Sequence, residues 1–130
     1  MIGAKRALVV DESLTNRILF GRLLGWMGME VVQAIGGADA IKVYEEDPSF
    51  DVVVLGSMTS GVDSITVTKL IRQFQLAKRP YIVGVGTSEA SERALTAGMD
   101  IFMVRPGPKN QKKDEAGKNV PLHCISGGRS

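Results

Sequence analysis

Short apolar runs alternate with longer segments of mixed polarity along the first 106 residues of the chain. The runs are rich in β-branched side chains, and most are continuously apolar, which is typical of strands buried on both faces of a sheet. They are ALVVD (7–11), EVVQAI (30–35), DVVVLG (51–56), YIVGVG (81–86) and IFMVRP (101–106). The pattern therefore predicts five β-strands.

The segments between these runs carry helical signals. Ser13 is the predicted N-cap of the first helix, and Gly28 is predicted to end it. This helix is predicted to carry on one face Ile18, Leu19, Leu23, Leu24 and Met27. Further helices are predicted over roughly 36–46, 62–77 and 88–97, the last capped by Ser88 and closed by Gly98. We interpret Trp26, Met27, Met99 and Met103 as core or helix-packing residues.

Strands that alternate with helices predict right-handed crossovers and a parallel sheet with helices on both faces. The expected fold class is therefore α/β, a doubly wound five-stranded parallel sheet. A length of 130 residues with 44% hydrophobic residues suits one domain. We place this domain at 1–106 and a tail at 107–130.

The basic excess of the chain lies in the tail. Residues 1–106 hold 11 Lys and Arg against 12 Asp and Glu, a net charge of −1, whereas residues 107–130 hold 5 against 2, a net charge of +3. The tail lacks a sustained apolar pattern and is rich in Gly, Lys, Asn and Ser, so we predict that it is largely disordered. Its lysines are diluted by acids and lack interleaved aromatics, so no direct nucleic-acid contact is expected.

The remaining composition predicts an intracellular soluble protein with no membrane contact. The longest apolar runs are four to five residues, far below the roughly 20 that span a bilayer. The N-terminus lacks the apolar region and cleavage motif of a signal peptide. A single cysteine, Cys124, fits a reducing compartment.

Candidate chemistry lies at the carboxyl ends of the strands, where a doubly wound sheet binds its ligands. The residues found there are Asp11 and Glu12 after the first strand, Gly56 at the third, Gly86 and Thr87 at the fourth, and Arg105 and Pro106 at the fifth. The adjacent carboxylates of Asp11 and Glu12 suit a hard cation such as Mg²⁺. They could equally begin a polar loop and help to start a helix.

Several motifs, in order and at matching spacing, resemble one family. They are the acidic pair after strand one, Asn16 and Arg17 opening the first helix, the Gly28 and Glu30 turn, the Gly36 and Ala40 pattern, and the run from Ala97 to Asp100 before strand five. Over nearly all of residues 5–106 the chain resembles the receiver domain of two-component response regulators, which has a flavodoxin-like fold.

The resemblance implies a site that accepts a phosphoryl group on an aspartate from a phosphohistidine donor. Mg²⁺, a Ser or Thr switch residue and a lysine complete such a site: the metal neutralises developing charge and the lysine holds the product's negative charge. This chain departs from the pattern at three positions. Gly56 stands at the acceptor, Gly86 at the switch hydroxyl with Thr87 beside it, and Arg105 at the lysine.

These departures predict a degenerate site. Gly56 offers neither a nucleophile nor a metal ligand, so we expect at best a weak Mg²⁺ site at Asp11 and Glu12, and no required cofactor. Ser57, Thr59 and Ser60 remain open as alternative acceptors. The loop GVGTSEAS (84–91) remains open as an anion cradle with Arg105, because helix N-termini attract anions.

The resemblance also implies a fifth amphipathic helix after strand five, which the tail sequence does not provide. One flank of the sheet would then be incompletely covered, so we expect a marginally stable monomer or a chain that covers this flank with a partner or with itself.

The favoured function is a non-catalytic pseudo-receiver, not an enzyme, that binds a histidine kinase, a phosphotransfer protein or another receiver. The resemblance points to helix 88–97, Ile101 and Met103 for this contact. The alternatives are a receiver-like domain that binds a small anion, and an atypical receiver with residual phosphotransfer.

Overall fold

The computed structural model describes residues 5–58, 61–74 and 79–105, together with the backbone of three short strands at 111–113, 119–121 and 125–126. Five parallel strands form the sheet: β1 (Arg6–Val10), β2 (Glu30–Ala34), β3 (Val52–Leu55), β4 (Tyr81–Gly86) and β5 (Ile101–Val104). Their order across the sheet is β2-β1-β3-β4-β5. This architecture confirms the predicted doubly wound sheet.

Four α-helices lie within the described residues: α1 (Leu14–Trp26), α2 (Gly37–Glu46), α3 (Ser64–Gln73) and α4 (Ser91–Ala97). No α-helix follows β5 in the part of the tail that the structure describes, which agrees with the missing fifth helix. Within the described residues no helix has the length and apolar character needed to cross a membrane.

Caps define most helix ends as the sequence predicts, with one exception. The Ser13 hydroxyl accepts a hydrogen bond from the Asn16 backbone N–H at 3.3 Å, and Gly98 ends α4 with a φ of 123°. The predicted cap at Ser88 is wrong, because a short 3-10 turn occupies Ser88–Ala90 and α4 begins only at Ser91. The Ser91 hydroxyl donates to the Ser88 carbonyl at 2.9 Å, so its hydrogen bond is made within the turn.

Three short strands lie in the tail where the sequence predicted disorder. They are β6 (Gln111–Lys113), β7 (Asn119–Pro121) and β8 (Ile125–Ser126). β6 and β7 form an antiparallel pair, and β8 pairs antiparallel with β5 as a sixth strand of the main sheet. Without β8, β5 would be an edge strand with unpaired backbone N–H and C=O groups. Pairing with β8 provides hydrogen-bond partners for part of this edge.

The main hydrophobic cluster lies on one face of the sheet, beneath α2, α3 and α4. Its buried members are Leu8, Val10, Ala34, Ala40, Tyr44, Phe50, Val53, Leu55, Val67, Ile71, Ile82, Ala94, Met99, Phe102 and Val104. Tyr44 packs against Phe50 and Phe74, with ring centroids 6.0 and 5.4 Å apart.

Helix α1 covers the opposite face of the sheet at β1 and β2. A Cβ built on Gly21 meets Val31 and Gln33, which are paired with Ala7 and Val9 on that face. Further along this face, Val83, Val85, Ile101 and Met103 are only half-buried. The described residues therefore provide one helix for this face and three for the other.

The predicted core face of α1 is wrong. No residue of α1 is buried, and Ile18, Leu19, Leu23 and Met27 are exposed. The interpretation of Trp26 and Met27 as packing residues fails for the same reason, whereas Met99 is buried as predicted. The helix is apolar on nearly every side, so its sequence pattern does not select the side that meets the sheet.

Candidate functional site

The strand order reverses between β1 and β3, which places the carboxyl ends of these two strands at the switch point of the sheet. Asp11 and Glu12 follow β1, and Gly56 and Ser57 follow β3. Hydrogen bonds join the two loops, because the Glu12 backbone N–H donates to the Ser57 carbonyl at 2.9 Å and the Gly56 N–H donates to Val10 at 2.8 Å. The structure thus brings the predicted acidic pair beside Gly56.

Asp11 is fully buried, and its carboxylate accepts three hydrogen bonds. The Ser13 backbone N–H donates to Oδ1 at 2.8 Å, while the Asn16 side-chain amide and the Ser57 backbone N–H donate to Oδ2 at 3.2 and 3.1 Å. The donors come from the β1–α1 loop, from α1 and from the β3–α3 loop. Asp11 therefore acts as a structural tie between three segments.

The Asp11 carboxylate occupies the space that a side chain at position 56 would need. A Cβ built on Gly56 overlaps Asp11 Oδ2 and comes within 2.8 Å of Asp11 Cγ. Gly56 itself is buried, so the contact is not relieved at the surface. The inward position of Asp11 therefore requires a residue without a side chain at position 56. A larger residue at position 56 would require Asp11 to move.

Arg105 reaches across the strand ends to Ser57. One guanidinium nitrogen, Nη2, donates to Ser57 Oγ at 2.7 Å, and the Arg105 backbone N–H donates to Gly86 at 2.8 Å. Both side chains are half-buried. This contact joins residues 48 positions apart and was not predicted from the sequence, where Ser57 is a candidate only as an alternative acceptor.

Arg17 is a second basic residue at this end of the sheet that sequence reasoning did not assign to the site. Its guanidinium donates to the Asp11 carbonyl at 2.7 Å and to the Gln33 side chain at 3.3 Å. Together with Glu12 and Asp39 it lines an open cleft of about 630 Å³. Its position in the first turn of α1 was the available signal, because the first turn of a helix that follows a strand lies near the carboxyl end of that strand.

The described donors do not fit a magnesium site. All three hydrogen bonds to the Asp11 carboxylate come from protein groups, and Gly56 adds no carboxylate to those of Asp11 and Glu12. Within the described ranges no group of three or more His, Cys, Asp or Glu residues could hold a metal ion.

The end of β4 offers no inward-pointing hydroxyl among the described residues. A Cβ on Gly86 would lie 3.0 Å from the Phe102 ring, and Thr87 is exposed without a side-chain capping bond. Thr59, Ser60 and Pro106 lie outside the described residues, so their predicted roles remain predictions.

Comparison with known proteins identifies the family. The profile of the response regulator receiver domain matches residues 7–115, which is most of the chain. This chain belongs to that family.

Individual relatives and structures agree with this assignment. The sensor protein GacS of Pseudomonas syringae pv. syringae is 30% identical over an alignment of 114 residues, which covers 83% of this chain and 12% of GacS. The chain thus spans about an eighth of that relative. The chemotaxis protein CheY4 of Vibrio cholerae has the same fold, with a TM-score of 0.69, 22% identity, and coverage of 81% of this chain and 89% of CheY4.

A second matched structure is a co-crystal of the Saccharomyces cerevisiae phosphotransfer protein Ypd1 with the receiver domain of Ssk1. It gives a TM-score of 0.68 at 18% identity, with 82% of each chain covered. These structural likenesses concern the fold alone.

Proposed function

We propose that this chain is a non-catalytic pseudo-receiver, an interaction module of phosphorelay signalling that does not itself accept a phosphoryl group on aspartate. The observation that carries the proposal is the pair formed by Gly56 and Asp11. Position 56 has no carboxylate, and the space for one is filled by the Asp11 side chain, which three donors hold in place. The proposed location is intracellular.

Two further features support the loss of phosphotransfer. Arg105 has a planar guanidinium that is less suited than a compact ammonium to a site built around a point contact. It already donates to Ser57 Oγ at 2.7 Å. Mg²⁺ at Asp11 and Glu12 would be weak at best, because the Asp11 oxygens serve protein donors.

The proposed partners are a histidine kinase, a phosphotransfer protein or another receiver domain. The co-crystal of Ypd1 with the Ssk1 receiver supports such a complex for a domain of this fold. The proposed contact surface includes α4 together with Ile101 and Met103, which are half-buried. Binding is expected to be indifferent to phosphodonor and Mg²⁺.

Intact-mass spectrometry tests this proposal directly. After incubation with acetyl phosphate and Mg²⁺, the native chain should gain no phosphoryl group, while a receiver domain with the acceptor aspartate gains one under the same conditions. A phosphorylated native chain would overturn the proposal. Loss of that modification in Ser57→Ala would then assign the acceptor to serine and favour an atypical receiver.

A small anion at the strand ends is the second candidate, because the half-buried guanidinium of Arg105 lies beside the end of β4. Inorganic phosphate should then raise the melting temperature of the native chain and not of Arg105→Ala. An equal response in both proteins would exclude this candidate.

A further inference from the structure

The last strand of the main sheet belongs to the tail. β8 pairs antiparallel with β5, and its two register pairs join Ile125 to Phe102 and Ser126 to Ile101. Each pair of neighbouring parallel strands in this sheet has four or five such pairs. Because its ladder is the shortest of these, β8 is the strand that costs least to detach from the sheet.

The direction of β8 sets the direction from which the tail reaches the sheet. The first residue of β8 pairs with Phe102 and its second with Ile101, so β8 enters beside the carboxyl half of β5. Continued by one residue towards the start of the tail, the same register would set Cys124 opposite Met103.

The flank of the sheet beside β8 carries apolar side chains that α1 does not cover. Helix α1 packs mainly on β1 and β2, whereas the β5 flank consists of four half-buried residues on the same face: Val83, Val85, Ile101 and Met103. Ile101 and Met103 also belong to the proposed contact surface. Any segment that covers this flank therefore competes with the proposed partners.

One segment of the tail is suited to an apolar surface. Val120, Leu122 and Ile125 are the only branched aliphatic residues among residues 107–130, and they lie within six positions of one another. Every Lys, Arg, Asp and Glu of the tail lies outside 119–126. Segment 119–126, which ends in β8, therefore has both the composition and the anchor point to cover the β5 flank.

We propose that segment 119–126, which we call the strap, covers the β5 flank of its own chain and shields Ile101 and Met103 from partners. The β5–β8 pairing is the part of this contact that the structure describes, and it identifies the occupant of the flank. Partners bind only to the fraction of molecules whose strap is detached, which lowers their apparent affinity in proportion to that fraction. Detachment of the strap is thus a regulatory step that limits partner binding.

This inference rests on the proposed contact surface but not on the loss of phosphotransfer. A chain that accepts a phosphoryl group could still close its strap, and an unphosphorylated chain could leave its flank open. The position of the strap and the transfer of a phosphoryl group are measured separately, so the two proposals fail in different experiments.

A disulfide tests the position of the strap, because Cys124 is the only cysteine of the sequence. In Met103→Cys a second thiol lies at the position that the continued register sets opposite Cys124. Opposed residues of antiparallel strands have Cα atoms about 4.5–5.5 Å apart, which a disulfide can span. Diamide, which takes up the two thiol hydrogens, should therefore produce an intramolecular disulfide in the full-length variant at low micromolar concentration.

Two further variants control the cross-link, which intact mass and free-thiol counts detect. Tyr81→Cys is the matched control, since Tyr81 is 46% exposed but lies on β4, and it should form no intramolecular disulfide. Adding Ile125→Pro to Met103→Cys should abolish the cross-link, because proline does not donate a hydrogen bond to the ladder. A thermal melt of each variant shows whether it is folded.

The other outcomes overturn the proposal. Folded Met103→Cys that stays reduced would show that the strap does not lie beside β5. Disulfide-linked dimers would show that the tail covers a second copy instead. A cross-link that forms equally in Tyr81→Cys, or that survives Ile125→Pro, would reflect random encounters of the tail.

The apolar dye anilinonaphthalene sulfonate tests the shielding itself. Folded Ile125→Pro should bind more dye than the native chain, because detachment of the strap uncovers the β5 flank, while the exposed residues of α1 give the same background in both. Gly128→Pro places the same substitution beyond β8 and should bind dye like the native chain. Equal dye binding in the native chain and in folded Ile125→Pro would overturn the shielding.

Discussion

Substitutions at position 56 have to be considered together with Asp11, because the Asp11 carboxylate occupies the space that a side chain of residue 56 would need. Asp11 is buried and tied by three hydrogen bonds, so it cannot turn outward without leaving two backbone N–H groups unpaired. Placing an acidic residue at position 56 therefore disturbs Asp11 as well.

We expect Gly56→Asp to lower the free energy of unfolding by roughly 2–4 kcal/mol, through overpacking and the placement of two carboxylates in one buried space. Asp11→Ala alone should cost about 2–3 kcal/mol by removing the acceptor of three donors. In Gly56→Asp/Asp11→Ala the new carboxylate has room, so the loss should be smaller than the sum of the two single losses. Urea unfolding of the four proteins measures this coupling, and additive losses would contradict it.

Tyr44 shows how a single buried hydroxyl affects stability. Its OH has no hydrogen-bond partner among the described residues, and burial raises the pKa of the phenol from 10.0 to about 12. The folded state thus holds the phenolic proton more tightly than the unfolded state. This contribution to stability is complete below pH 10 and is lost as the pH rises towards 12.

Tyr44→Phe should abolish the part of the alkaline loss that is due to Tyr44, which is on the order of 3 kcal/mol for a pKa change of this size. At neutral pH the variant should be at least as stable as the native chain, because an unpaired buried hydroxyl costs about 1–3 kcal/mol. Denaturant unfolding between pH 8 and 12 checks both effects. Tyr81→Phe, at an exposed position, is the control and should keep the native alkaline profile.

Only part of the site could be predicted from individual residues. The strand-end positions of Asp11, Gly56 and Arg105 follow from the chain order, because parallel strands present their carboxyl ends together. The direction of the Asp11 side chain depends on donors at Ser13, Asn16 and Ser57, and only the folded chain brings the last of these to it. The contact between Arg105 and Ser57 is equally non-local.

At the scale of elements, the sequence predicted those features that depend on residues close together in the chain. The five parallel strands and the Ser13 and Gly98 helix ends are encoded within a few residues. The pairing of β8 with β5 joins residues more than 20 positions apart, so no local pattern in the tail predicted it. The sequence also did not determine which side of α1 meets the sheet, because apolar residues lie on nearly every side of that helix.

Helix α3 offers a test of capping at this scale. The Asp63 carboxylate accepts a hydrogen bond from the Thr66 backbone N–H at 2.8 Å, and this bond is the main cause that holds the pKa of Asp63 below its usual value of 3.8. Its stabilisation is therefore present above the ordinary pKa of aspartate and is lost as the pH falls through the depressed value.

Asp63→Ala should cost about 1 kcal/mol at neutral pH, because the cap is lost. Asp63→Asn should retain most of that stability, since its side-chain oxygen still caps the helix, but should lose the part of the acid dependence due to Asp63. Chemical unfolding at neutral pH and at pH 3 to 4 separates the two effects. Equal losses in Asn and Ala at neutral pH would show that charge rather than capping stabilises this end.

At the scale of the whole molecule, the two faces of the sheet are unequally packed. One face holds the cluster that runs from Leu8 to Val104 under three helices, whereas α1 on the other face contains no buried residue. Local stability follows the density of buried apolar contacts, so the two sides should open at different free energies.

Native-state hydrogen exchange should reveal this inequality. In dilute solution the amides of α1 should exchange through local opening, well before those of β1, β3 and β4, which open only with global unfolding. Amides of α1 that are as protected as those of β3 in dilute solution would contradict the unequal packing. In that case the half of the helix that faces the sheet would be sufficient to hold it, despite the large apolar side chains left in water.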